Sequence, residues 1–156
     1  MPKHIPAGYH SVTPVLVLKD AKKAIAFYKK AFGARETLLL PAPNGGVMHA
    51  EIRIGDSAIM LGEENAAWKH KSAESFGGSP VSLALYVEDA DASYRQAVAA
   101  GAQEVTAPED SFWGDRCGTV RDPFGYSWSI AARKKDLSPE QMLKAGQEWL
   151  AHSAPR

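Results

Sequence analysis

Two side chains able to move a proton or hold a metal stand two residues apart, His49 and Glu51, within Val47-Met48-His49-Ala50-Glu51-Ile52-Arg53-Ile54. In an extended strand Met48, Ala50, Ile52 and Ile54 point one way, and His49, Glu51 and Arg53 the other. An imidazole and a carboxylate sharing a face can bind a metal ion or form a hydrogen-bonded polar lining. A second strand-like run presents Cys117, Thr119 and Arg121 on one side, with Gly118 and Val120 opposite. Cys117 follows Arg116, and a neighbouring cation raises the thiolate fraction of a cysteine; the alternative is a small strand residue. Glu51 and Arg121 carry opposite charges at matching places, which reads as an ion pair across the molecule or as two ligand contacts. Trp113, Tyr86, Phe112 and Tyr126 supply aromatic surface for a pocket rim.

These residues are positioned by a chain that states one plan twice. Leu16-Val17-Leu18-Lys19-Asp20-Ala21 returns as Leu85-Tyr86-Val87-Glu88-Asp89-Ala90, and Ile54-Gly55-Asp56-Ser57 is answered by Phe124-Gly125-Tyr126-Ser127. Two copies of a supersecondary unit predict a paired module, not a solenoid. In the first copy a strand covers 12–18, with Pro14 confined to its start or a free edge. Asp20 caps a helix whose Ala24, Phe27, Tyr28 and Ala31 form an apolar stripe, and Gly33 ends it. Strands follow at 35–40, 47–54 and 57–62, the first two joined through the Asn44-Gly45 turn. The second copy reads as a strand at 81–87, a helix from Asp89 to Gly101 carrying Ala90, Ala97 and Val98 inward, and strands near 103–108, 116–121 and 125–131. Trp128 and Ile130 belong under its helix. Between the copies, 63–80 reads as an exposed linker. After them, Ser138-Pro139-Glu140-Gln141 opens a tail helix with Met142, Leu143, Trp149 and Leu150 along one side. That stripe needs cover from its own domain or from a partner chain.

Bulk properties narrow the function. The 156 residues make one domain of ordinary size, and 18 basic residues balance 18 acidic ones. No electropositive field for nucleic acid or anionic membrane results. The apolar runs are strand-sized, so no membrane span is expected. Met1-Pro2-Lys3-His4 leads into no secretory signal. A single cysteine closes no intrachain disulfide, and a cytoplasmic location is expected. Neither a phosphate-cradling glycine loop nor a nucleophile elbow is present.

The doubled βαβββ plan, the helix end Ala26-Phe27-Tyr28-Lys29-Lys30-Ala31-Phe32-Gly33, and Asp122-Pro123-Phe124-Gly125-Tyr126 before the last strand together resemble the vicinal oxygen chelate superfamily. That group holds glyoxalase I, bleomycin-resistance proteins and extradiol dioxygenases. Trp113-Gly114-Asp115-Arg116-Cys117-Gly118 running into Asp122-Pro123-Phe124-Gly125 is similar to its PhnB-like branch. The resemblance implies an α+β fold of two βαβββ modules, at about 10–62 and 81–132, within one domain spanning 1–132. A helical tail at 133–156 follows. The resemblance also implies that metal-using members take one ligand from the first and one from the last strand of each module. On this chain those positions are Thr13, Met60, Ser82 and Ser129. Hydroxyls are poor ligands for the transition ions that imidazole and carboxylate favour, and a thioether suits soft ions.

The expectation is therefore a homodimeric, bleomycin-resistance-like protein that holds a small organic molecule with no metal and no other cofactor. Its lining is His49, Glu51, Thr13, Met60, Ser82, Tyr86, Trp113, Arg121 and Ser129, with no catalytic residue assigned. Competing expectations are a metal-dependent lyase, isomerase or dioxygenase using His49 and Glu51, and a scaffold dimer without a ligand.

Overall fold

The computed structural model describes residues 4–153. Met1–Lys3 of the leader reading and residues 154–156 of the tail lie outside the described residues. The first module runs β1 (Val15–Leu18), α1 (Ala21–Phe32), β2 (Arg35–Pro41), β3 (Val47–Ile54) and β4 (Ser57–Glu63). The second runs β5 (Ser82–Tyr86), α3 (Ala90–Ala100), β6 (Gln103–Asp110), β7 (Asp115–Arg121) and β8 (Ser127–Arg133). A short helix α2 (Ala73–Phe76) lies between them, and α4 (Pro139–Ser153) ends the chain. Each module is a four-stranded mixed sheet, ordered β1-β4-β3-β2 and β5-β8-β7-β6, so the βαβββ plan is present twice.

Local chemistry accounts for these elements. The side chains of Asp20 and Asp89 accept from Lys23 and Ala92 N–H at the starts of α1 and α3. Gly33 and Gly101 close the same helices in the left-handed conformation that a Cβ disfavours. The α1 stripe is buried as expected, with Ile25 and Ala21 added to it. At the start of α4, Ser138 Oγ accepts from Gln141 N–H while the Gln141 side chain accepts from Ser138 N–H, a reciprocal cap.

Several expectations need correction. β1 begins at Val15, not residue 12, because Pro14 has no N–H for a ladder. Val47 is buried and Met48 is half exposed, since the register shifts between Leu40 and Pro41 and turns the end of β3 over. The 63–80 segment carries local structure of its own. Glu63 completes β4, Asn65 caps a 3-10 turn at Ala66–Trp68, and buried Ser72 caps α2. The Glu64 carboxylate accepts from both the hydroxyl and the N–H of Ser72 and fastens the segment.

Side chains, not a ladder, join the two sheets. Asp122, at the β7–β8 turn, is buried; its Oδ2 accepts from Tyr28 on α1 at 2.7 Å and from Trp128 Nε1 at 2.9 Å, and its Oδ1 accepts from the Phe124 and Tyr126 N–H groups. Phe27, Tyr28 and Phe32 of α1 pack edge-on or tilted against Phe124 and Trp128. Tyr126 reaches the outer edge of β1, where its hydroxyl accepts from Val17 N–H at 3.0 Å and donates to Val17 C=O at 2.8 Å. That contact satisfies edge groups a ladder would otherwise claim. Among the described residues no helix is long and apolar enough to cross a membrane.

Candidate functional site

The face of each sheet turned away from its helix is open, and the expected ligand residues divide between the two. On the first sheet, Glu51 stands opposite Met60 of β4 and Leu38 of β2, and His49 stands opposite Leu40. His49 Nε2 lies 3.2 Å from Glu51 Oε1. The Tyr9 hydroxyl also engages Glu51; this contact first, then His49 and Arg53, holds the carboxyl below the usual range against the opposing effect of desolvation. The Arg53 guanidinium lies over the Tyr9 ring, 5.7 Å from its centroid. Tyr9 was not legible as a site residue, because it precedes the first strand and belongs to no periodic pattern.

On the second sheet the organising residue is Asp115, 2% exposed. Its Oδ2 accepts from the Tyr86 hydroxyl at 2.7 Å and from Trp113 Nε1 at 3.1 Å, while Arg133 Nε approaches Oδ1 at 3.1 Å. The carboxylate hydrogen bond, then burial, raises the Tyr86 phenol pKa. Strand alternation places Asp115 with Cys117, Thr119 and Arg121, a signal that was available in the sequence. Ser129 pairs with Thr119 and Ala84 across its neighbours, and Ser82 with Ser127.

Two expectations fail on geometry. Glu51 and Arg121 do not pair: the charge partner of Glu51 is His49, whereas exposed Arg121 borders a separate hollow with Gly77, Gly78 and Gly125. Ala50 faces Leu61 just as Gly118 faces Ile130, so Glu51 is matched by Thr119 and Arg53 by Arg121. Arg116 does not serve Cys117 either, because its guanidinium is engaged by Asp91 and Asp110. The Cys117 thiol instead lies 3.1 Å from the Ser111 hydroxyl.

Between the modules is a cavity of about 430 Å³. The arm before β1 lines it with His10, Val12 and Thr13, the β3–β4 turn with Ile54–Ile59, and β5 with Leu83–Tyr86, above Trp128. Of the expected ligand residues it gathers Thr13 and Tyr86. Those on the open faces (His49, Glu51 and Met60; Ser82, Trp113 and Ser129) do not line it.

The model of the Glyoxalase/Bleomycin resistance protein/Dioxygenase superfamily matches residues 9–130, which reach from the arm before β1 into β8. The chain belongs to this superfamily. It is similar to an uncharacterized protein of Mycobacterium bovis, 41% identical over 138 residues that cover 86% of this chain and 91% of the relative. Among solved structures it is similar to a gene product of Arabidopsis thaliana, at 30% identity and TM-score 0.63, covering 79% of this chain and 98% of that one. It is also similar to TioX from Micromonospora sp. ML1, at 25% identity and TM-score 0.62, covering 83% and 100%.

Metal-using members of the superfamily would hold their ion at Thr13, Met60, Ser82 and Ser129, and these residues do not fit one. The Thr13 hydroxyl donates to His10 C=O at 3.4 Å and the Ser82 hydroxyl to Ser127 C=O at 3.3 Å. Met60 offers a soft thioether. Among the described residues no three His, Cys, Asp or Glu side chains converge in a way that could hold an ion.

Proposed function

We propose that this superfamily member binds a small amphipathic organic molecule without a metal ion, as a cytoplasmic homodimer. The inter-module cavity carries this reading: at about 430 Å³ it falls in the range of small-molecule sites, and apolar walls surround a few polar groups there, Thr13 and Tyr86 among them. The open faces on either side extend that surface. Tyr86, which lines the cavity, stays 58% exposed. Leu143, Trp149 and Leu150 on α4 are more than half exposed, which supports a second copy as their cover. The Trp113–Gly118 stretch running into Asp122–Gly125 supports the PhnB-like branch. Against metal-dependent chemistry stand the two hydroxyls already directed at carbonyl oxygens and the soft thioether.

A second reading, a metal-dependent lyase, isomerase or dioxygenase, is favoured only by the 3.2 Å His49–Glu51 pair. A thermal-shift screen of divalent metals against aromatic and glycopeptide compounds separates the two. A compound at a hundred times its Kd adds about 2.7 kcal/mol of stability. Stabilisation by particular compounds supports binding, whereas a response to metals alone overturns it.

A further inference from the structure

On the open face of the first sheet, β3 and the arm before β1 bring polar side chains together around a hydrogen-bonded pair of defined polarity. Glu51 is at its centre, and its lowered pKa keeps it an acceptor only. The imidazole nitrogen facing it, Nε2 at 3.2 Å, must carry the ring hydrogen, so the neutral His49 ring presents Nδ1 as a lone pair. The Tyr9 hydroxyl stands beside the same carboxylate. Burial first, and then that carboxylate, raises the phenol pKa. Arg53, the nearby cation, is turned aside, lying over the Tyr9 ring and reaching Asp56 C=O at 3.5 Å. The outward nitrogen of His49 is therefore an acceptor beside the Glu51 carboxylate. Leu38, Leu40 and Met60 stand beside them as cross-strand neighbours. The His49 and Glu51 side chains remain 33% and 20% exposed, within reach of a ligand.

We infer that His49 and Glu51 form a recognition site for a hydrogen-bond-donating head group, an amine, hydroxyl or amide N–H, on an otherwise apolar molecule. The same site turns away carboxylates and phosphates, whose oxygens would face lone pairs and the Glu51 charge. This deepens the ligand-binding reading above and rests on it.

The test uses the full chain with nitrogen-15 histidine at about pH 8. Long-range nitrogen–proton spectra should show His49 as the Nε2–H tautomer. Phenethylamine and phenethyl alcohol, titrated against phenylacetate, should bind about tenfold more tightly than the acid, the size of one hydrogen bond to a charged or polar partner. In Glu51→Gln the tautomer lock should loosen and the preference fall toward unity; if that variant does not fold, His49→Leu should abolish the same preference. An Nδ1–H tautomer, or phenylacetate binding as tightly as phenethylamine, overturns the assignment. So does a lack of response at His49 to all three probes. If the compound screen still finds a stabilising ligand, only this assignment falls; if it finds none, the binding reading falls too.

Discussion

Replacing Asp122 by Asn tests the claim that one buried carboxylate ties the modules together. The wild-type side chain, 4% exposed, accepts four hydrogen bonds, from Tyr28, Trp128 Nε1 and the Phe124 and Tyr126 amides. Asparagine keeps the shape but exchanges one acceptor oxygen for NH2. If its oxygen stays on the two amides, its NH2 faces the Tyr28 hydroxyl, which can turn and accept, and the Trp128 N–H, which can only donate. One buried donor is stranded, at a cost of about 1–3 kcal/mol, and the surviving bonds lose their charge assistance. Relief from burying a charge returns part of this, leaving an expected loss of about 2–4 kcal/mol. That corresponds to a fall in Tm of about 4–16 °C for a chain of this length. Burial raises the folded pKa of Asp122 despite its four donors. The folded state thus binds more protons than the unfolded one between the ordinary aspartate value and the raised one. Wild-type stability must decline as pH rises through that window, and Asp122→Asn must lack this decline. Urea unfolding at several pH values measures both. A change below about 0.5 kcal/mol, the ordinary size for a surface substitution, would refute the role assigned to this carboxylate.

Tyr126→Phe should leave Val17 N–H and C=O unpaired on the edge of β1, costing about 1–3 kcal/mol and speeding hydrogen exchange at Val17 above that at Leu16. Unchanged exchange there would contradict it. Gly114 has φ +98, and a Cβ would come within 2.5 Å of Lys135 C=O; Gly114→Ala should therefore cost at least about 1–3 kcal/mol in denaturant unfolding and displace the neighbouring Trp113. The Glu64 carboxyl should titrate near about 2, held down first by the Ser72 hydroxyl and then by Ser75. Its stabilising contribution is complete above the ordinary glutamate value and is lost as pH falls through about 2. Carbon-13 NMR of Ser72→Ala should show that titration move back toward the ordinary value.

How much was legible follows from the range over which each feature is specified. Helix caps and apolar stripes are local, so Asp20, Asp89, Gly33, Gly101 and the inward Trp128 could be read directly. The duplication showed the architecture because equal spacing of equal signals requires equal units. The open faces were also legible, since alternation along β3 and β7 assigns His49, Glu51, Cys117 and Thr119 to the side away from the helices. The exchange of Met48 for Val47 was not, because it depends on a register shift with the neighbouring strand, invisible in β3 alone. The Glu51–Arg121 pairing failed for a related reason. The turn from Arg121 to Ser127 is longer than that from Ile54 to Ser57, so an offset taken at the turn glycines misaligns the strands before them.

The sequence by itself determined two βαβββ modules, their caps and most of their core faces. Those are properties of residue type at a position, fixed by backbone geometry and short-range periodicity. Only the tertiary structure decided which side chains meet: Tyr28 with Asp122, Tyr126 with the edge of β1, Tyr9 with Glu51, and Trp113 and Tyr86 on Asp115. All of these but the Trp113–Asp115 contact join residues from different segments. In each of those the partner is chosen by how helices and sheets pack in three dimensions, where a shift of one residue in register sends a side chain to the opposite face.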